Sequence, residues 1–318
     1  MNNLKKIGLT ALAGSLVATS VAYAGALEAT GSAEMKMENS SNSAAGKTVG
    51  MANNIFFAGS GETDSGLNVS VSFELDDGSD SGNASAAFDN HSVSVGNDTL
   101  GTLTVHGHGG SNAAAALDTT AAGDFWDNGL GMAAGDKPQA SRSENGLVVY
   151  ALPAMMDGLS AAVSYDSEGE NNAGSTAFGA TYSGVEGLSV SFGKGNNEST
   201  TAVDIDQTIL KASYAYGPVT LAVSNNDYDH TTGTSDQEVS SFSIAYTLTD
   251  AISVKYGEET LEKPGKTADI EVKGVTASYT SGGMTLGVTS IEADNVDHSA
   301  TGTDNDNSYW KLSLGFAF

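Results

Sequence analysis

The stretch SYWKLSLGFAF, residues 308–318, decides the fold. Counted back from its end, Phe318, Phe316, Leu314, Leu312 and Trp310 fall on one face of an extended chain. Ala317, Gly315, Ser313, Lys311 and Tyr309 fall on the other. Successive side chains of a strand point to opposite sides, so the segment reads as a strand with one apolar face and one small or polar face. A tilted strand needs roughly ten residues to cross a bilayer, and this one has that length.

The same division recurs through the chain. Leu159, Ala161, Val163 and Tyr165 alternate with Ser160, Ala162 and Ser164, and Phe242, Ile244, Tyr246 and Leu248 alternate with Ser241, Ser243 and Thr247. Leu188, Val190 and Phe192, and Leu67, Val69, Val71 and Phe73, repeat it. A soluble sandwich alternates too, so the pattern alone does not separate the two. The second face reads as small and polar throughout, which suits a wet lumen.

Strands are expected near 27–37, 48–59, 66–75, 86–96, 99–107, 144–153, 158–166 and 174–183, then 187–195, 203–216, 219–227, 236–248, 251–259, 267–280, 284–293 and 306–318. The connections sort into two kinds. Tight ones sit at Asn97-Asp98, Gly217-Pro218, Thr249-Asp250 and Ser281-Gly282-Gly283, and long acidic ones run from Asn225 to Gln237, Glu259 to Ala268 and Ala293 to Asp306. Short turns on one rim and long loops on the other belong to an all-β, antiparallel transmembrane barrel, here of sixteen strands over residues 25–318. The connection from Gly107 to Ser143 does not alternate, and a long structureless loop in a compact domain is usually functional.

Composition agrees. Pro numbers 4, Gly 39 and Cys none, and beyond the first residues no apolar run approaches the length of a membrane helix. The start, MNNLKKIGLTALAGSLVATSVAYAG, joins basic Lys5 and Lys6 to an apolar run and the small-residue site Ala22-Tyr23-Ala24. It reads as a signal peptide over residues 1–24, removed before Gly25. The remainder holds 11 Lys and Arg against 39 Asp and Glu, a formal charge of −28, which excludes nucleic acid as a partner.

Over essentially the whole chain after the signal, the sequence resembles the Gram-negative general porins, particularly the alphaproteobacterial type. The resemblance rests on FFAGSGETDSGLNVSVSFEL (56–75), SVSVGNDTLGTLTVHG (92–107), SRSENGLVVYALPAMMDGLSAAVSY (141–165) and the terminal segment, in that order and spacing. It implies a homotrimer of sixteen-stranded barrels in the outer membrane, amid lipid and lipopolysaccharide. The third external loop, residues 107–143, would fold inward as a constriction. Its acids would be Asp118, Asp124, Asp127 and Asp136, with Glu144 on the next strand. Trp310, Leu312, Leu314, Phe316 and Phe318 resemble the signal read by the barrel-assembly machinery.

The sequence departs from the family in its basic wall. Ala52 and Asn54 stand where arginines are expected, and the chain's one arginine is Arg142. Parity places Lys36, Lys211 and Lys255 on the lumen face beside Glu28, Glu34 and Glu74, and puts His106 and His108 there as well. The field across the pore should be weak and the lining negative. An acidic passage through low-dielectric surroundings concentrates cations, and a Debye length of about 8 Å at physiological salt keeps that preference modest. Passive diffusion of small hydrophilic solutes and cations is therefore the expected function.

Other readings have less support. The acids at 225–230 (NNDYDH) and 304–307 (DNDN) offer oxygen ligands for Ca²⁺ in external loops, but neither fits the EF-hand pattern, and solvated turns are the simpler reading. No cofactor and no metal site is expected. A barrel enzyme would need a nucleophile near the rim histidines His230 and His298, and no such motif is present, so no catalytic residue is assigned. A plugged structural or adhesive barrel differs from a pore at the 107–143 segment, whose small residues, including Ala113 to Ala116, favour an open path.

Overall fold

The computed structural model describes residues 27–42, 46–76, 90–138, 146–166, 174–197, 204–231, 233, 235–299 and 306–318. The signal peptide, Arg142 and Glu144 lie outside them. Sixteen strands follow in chain order: β1 (Leu27–Ser40), β2 (Thr48–Glu62), β3 (Asn68–Asp76), β4 (Asn90–Asn97), β5 (Gly101–His108), β6 (Leu147–Ala151), β7 (Leu159–Asp166) and β8 (Ser175–Tyr182). The second half adds β9 (Leu188–Asn197), β10 (Ile205–Tyr216), β11 (Val219–His230), β12 (Gln237–Thr249), β13 (Ile252–Glu262), β14 (Ile270–Ser281), β15 (Met284–Asp294) and β16 (Asn307–Ala317). Each strand read from the sequence has its counterpart.

Each strand pairs antiparallel with its neighbours in sequence, and β1 pairs with β16 to close the ring. Beyond that ladder the backbones of Gly31 and Phe318 exchange two hydrogen bonds, at 2.8 and 3.0 Å. Closure removes the open sheet edge without disulfides, so strand backbones pair on both sides along the shared ladders, as a membrane interior requires.

Cross-strand partners share a face, which fixes inside and outside. On β12, Phe242, Ile244, Tyr246 and Leu248 are 40–52% exposed, while Ser241 and Ser243 between them are 8% and 4% exposed. The exposed apolar row continues through Leu210, Leu221, Val223, Val275, Leu286, Val288, Leu312 and Phe316. One rim carries tight turns at 98–100, 217–218, 250–251 and 282–283. In the second of these, Gly217 takes φ +57°, and Pro218 follows with its fixed negative φ, the sequence a type II′ hairpin demands. The other rim carries the long connections.

Two expectations need correction. The inward face is not small and polar throughout. On the long-loop side Ile205, Val239, Leu261, Ile270, Val272, Ile291 and Ala293 point inward, buried in one cluster with Phe125, Leu130 and Met132 of the 109–146 connection. Apolar side chains face inward there because a segment of the chain covers them. Several strands also run further than alternation suggested: Asn225–His230 belongs to β11, and Glu259–Glu262 to β13.

Candidate functional site

The connection between β5 and β6 builds the site. It contains three short 3₁₀ turns, Ala115–Leu117, Phe125–Asp127 and Ala134–Asp136. Its backbone carries donors and acceptors that no sheet satisfies, so side chains of the barrel wall must satisfy them. The wall provides these partners strand by strand. Ser164 on β7 accepts from the Ala113 amide at 2.9 Å, Ser224 on β11 from Ala121 at 2.8 Å, and Ser241 on β12 from Ala122 at 2.9 Å. Asn226 donates to the Asp118 carbonyl, Lys211 to the Thr119 carbonyl at 2.6 Å, and Lys255 to the Ala122 carbonyl.

Glu259 on β13 is the densest of these contacts. Its carboxyl group, 1% exposed, accepts from Thr120 Oγ1 at 2.5 Å and from the amides of Phe125 and Trp126 at 3.0 and 2.9 Å. These are the unpaired N–H groups at the start of the Phe125–Asp127 turn, where an acidic acceptor is most favourable. Glycines on the wall let the segment lie close. A Cβ at Gly179 would sit 2.0 Å from the Ala113 carbonyl oxygen, and one at Gly257 would sit 2.7 Å from Ala122 Cβ. Sequence reading missed Glu259, Ser224, Ser241, Asn226, Gly179 and Gly257. Continuing the parity of Lys255 and Gly257 by one more step would have turned Glu259 inward.

The loop acids do not form one row. Asp118 is largely enclosed, and burial first, then the neighbouring Asp124, raises its carboxyl to about 6. Asp124 accepts from the Thr120 amide at 2.9 Å. Asp136 is held by Lys263 at 3.5 Å and Lys266 at 3.3 Å. Asp127 is the outlying one, 65% exposed in its side chain and paired with Lys137 at 3.1 Å. Asp118, Asp124, Asp127, Trp126, Pro138 and Tyr228 surround a small cavity of about 130 Å³.

A larger cavity, of about 560 Å³, lies between part of the loop and the wall formed by β1, β2 and β16. Asp127, Asn128, Gly129 and Gly131 bound it on one side, and Lys36, Glu38, Tyr309 and Lys311 on the other. Charges on that wall occur in pairs: Lys36 with Glu38 at 3.3 Å, and Lys311 with Glu34 at 3.9 Å, while Tyr309 donates to Glu38 at 2.7 Å. Lower on the same wall, Asn54 accepts from Ser32 at 2.5 Å and donates to Glu74 at 3.0 Å. Glu28 lies opposite Ala58 on that face. His106 and His108 share the inward parity of β5, whose Leu103 and Val105 point outward.

Trp310, Leu312, Leu314, Phe316 and Phe318 occupy the outward face of β16 and its end. His230 and His298 are both buried rather than displayed on the rim, and His298 Nδ1 lies 3.1 Å from the Ala268 carbonyl. Among the described residues no group of three His, Asp or Glu is placed to hold a metal ion. The first half of the DNDN stretch, residues 304 and 305, lies outside the described residues, and its Asn307 opens β16 and donates to the Leu130 carbonyl at 2.7 Å.

Comparison with known proteins agrees with this architecture. A solved structure of the anion-selective porin from Comamonas acidovorans superposes with a TM-score of 0.70 at 17% identity, covering 92% of this chain and 99% of that one. A triple mutant of the Rhodopseudomonas blastica porin superposes with a TM-score of 0.65 at 15% identity, covering 92% of this chain and all of that one. At such identities the likeness concerns the fold. No curated protein matches the sequence. The family model described as Gram-negative porin matches residues 8–318, and the chain belongs to that family.

Proposed function

We propose that the barrel is a water-filled outer-membrane channel for passive diffusion of small hydrophilic solutes and ions, with a mild preference for cations. The observation that carries this reading is the cavity between Asp127–Gly131 and the wall of β1 and β16, lined by charged and amide groups. The 107–143 segment is the constriction, narrowing the lumen from the side of β7 to β15 and leaving the β1 side open. A plug would need to fill that side too. The preference follows from the lining: Lys36 and Lys311 are each matched by a glutamate, leaving Glu28, Glu74 and Asp127 with one neighbouring lysine, Lys137. Such an excess attracts cations weakly across a screened aqueous path.

The remaining parts of the proposal concern assembly. The first 24 residues direct export and are removed. The outward row on β16, ending in Phe318, is the segment handed to the barrel-assembly machinery. A homotrimer is supported by the outward face of β1 to β5, which carries no Tyr or Trp, whereas Tyr150, Tyr165, Tyr182, Tyr214, Tyr246, Tyr256 and Tyr279 face outward elsewhere. A sector without interfacial aromatics suits contact with another copy. Lipid and lipopolysaccharide surround the rest. No catalysis, cofactor or bound calcium enters the proposal.

The test is conductance in a planar bilayer with a potassium chloride gradient. Steps in groups of three and a small cation-directed reversal potential support the channel. A zero or anion-directed reversal refutes the assigned lining, and absence of steps from folded protein refutes the channel.

A further inference from the structure

The lipid side of the barrel holds a concavity of its own. Between β7 and β10 a crevice of about 680 Å³ is floored by Val163, Phe178 and Phe192. The two phenylalanine rings tilt against each other with centroids 6.3 Å apart. Toward the long-loop rim the same crevice is bounded by Thr176, Lys194, Asn196 and Asp206. Asn196 is fixed there by the amide and hydroxyl of Thr176, at 2.9 and 2.8 Å. Lys194 stands two positions beyond Phe192, about 7 Å along the strand, where the apolar band ends and headgroups begin.

The surrounding rim makes this lysine unusual. Outward positions on β10 to β15 place like charges opposite one another: Asp206 and Asp229, Asp227 and Glu238, Glu238 and Glu262, Glu271 and Asp294. Lys273, also facing outward, is engaged by Glu292 at 3.9 Å and Asp294 at 3.6 Å. Lys194 has no ion pair among the described residues, and neither has Asp206 across the same crevice. Among the described residues, one unpaired cation and one unpaired carboxylate thus lie above an aromatic floor, beside an acidic sector that repels a polyanion.

We propose that this crevice seats a zwitterionic glycerophospholipid. Its acyl chains lie on Val163, Phe178 and Phe192, its phosphate meets Lys194, and its ammonium meets Asp206. The charge pattern matches a headgroup bearing one of each sign. A headgroup with several phosphates would find one lysine and face the acidic sector unbalanced. The inference rests on the barrel standing in a bilayer with its long loops outward, and conductance reads that reading separately.

The test is native mass spectrometry of the detergent-solubilised full chain, titrated in parallel with phosphatidylethanolamine, phosphatidylglycerol and lipid A. One phosphatidylethanolamine retained per barrel, weakened about tenfold by either Lys194→Gln or Asp206→Asn and unaffected by Lys273→Gln, supports the site. Equal retention of phosphatidylglycerol, preference for lipid A, or binding indifferent to Lys194 and Asp206 overturns it. All three substituted side chains point away from the interior, and unchanged single-channel conductance certifies that each variant is folded.

Discussion

Removing the Glu259 carboxyl should free the connection between β5 and β6 while leaving the barrel intact. In Glu259→Ala the amides of Phe125 and Trp126 lose their acceptor, and Thr120 Oγ1 loses its partner. A buried donor without a partner costs about 1–3 kcal/mol. The hydroxyl can turn elsewhere, so the two amides together should cost about 3 kcal/mol. At 1.4 kcal/mol per factor of ten, that is roughly a hundredfold in the equilibrium for local detachment. Hydrogen exchange reads it directly: amides of residues 120–127 should exchange about a hundredfold faster, while those of β12 and β13 keep their protection. Glu259→Gln keeps one acceptor oxygen and should fall between. Open-channel current noise should rise in the same order. Wild-type protection at Phe125 and Trp126 in Glu259→Ala would refute the assignment of Glu259 as the anchor.

Four further outcomes follow from the same geometry. Gly179→Ala drives a Cβ against the Ala113 carbonyl and should cost about 1–3 kcal/mol and alter conductance, whereas Gly59→Ala, with nothing within 4 Å, should do neither. Asp118, with a folded value of about 6 against an ordinary 3.8, carries a burial cost that is present above pH 6 and relieved as pH falls toward 4. Protection factors of the amides around Asp118 should therefore rise as pH falls from 7 to 5, and Asp118→Asn should abolish that rise. Lys36→Gln combined with Lys311→Gln unmasks Glu38 and Glu34 and should raise cation preference clearly, with thermal stability changed by at most about 1 kcal/mol per pair because both pairs are partly exposed. Gly31→Ala sets a Cβ 2.6 Å from the Phe318 ring and 2.9 Å from the Asn54 carbonyl, so the yield of heat-modifiable folded barrel should fall.

The strand ladder was legible because a one-residue slip in a period-two pattern exchanges both faces at once, so each segment carries its own check. The ends of the strands on the long-loop rim were not. Beyond the apolar band the two faces exchange character: on β11, Leu221 and Val223 face outward below, but Asp227 and Asp229 face outward above, with Tyr228 buried between them. On β13 the inward series Lys255, Gly257, Glu259, Leu261 likewise passes from polar to apolar under the loop. The period persists while its sign reverses. A search for apolar-out alternation therefore stops short, and it assigned NNDYDH and Glu259 to loops. The inner apolar cluster escaped for a related reason: its members come from β10 to β16 and from Phe125, Leu130 and Met132, distant in sequence and joined only by the closed ring.

The scarcity of basic residues, read from composition as a weak transverse field, acquires a more specific meaning from where the lysines sit. Lys211 and Lys255 face inward, yet both donate to loop carbonyls and lie near Asp118, Asp124 and Glu259. Lys263 and Lys266 hold Asp136, and Lys263 also donates to the Gly135 carbonyl. These four lysines position the segment, so their neutralisation would alter selectivity only by moving the loop. Lys36 and Lys311 stand apart: they line the 560 Å³ cavity and, among the described residues, donate to no loop carbonyl. The acids divide the same way. Asp118, Asp124 and Asp136 sit against the wall that bears the loop, and Asp127 faces the opening together with Glu38. In the proposed channel, the field a solute meets is therefore set across the gap between Asp127 and the paired charges of β1 and β16, a few side chains out of the chain's 39 acids. For the proposed channel, net charge alone is thus a poor guide to selectivity, because the pairing on the β1 wall offsets part of it.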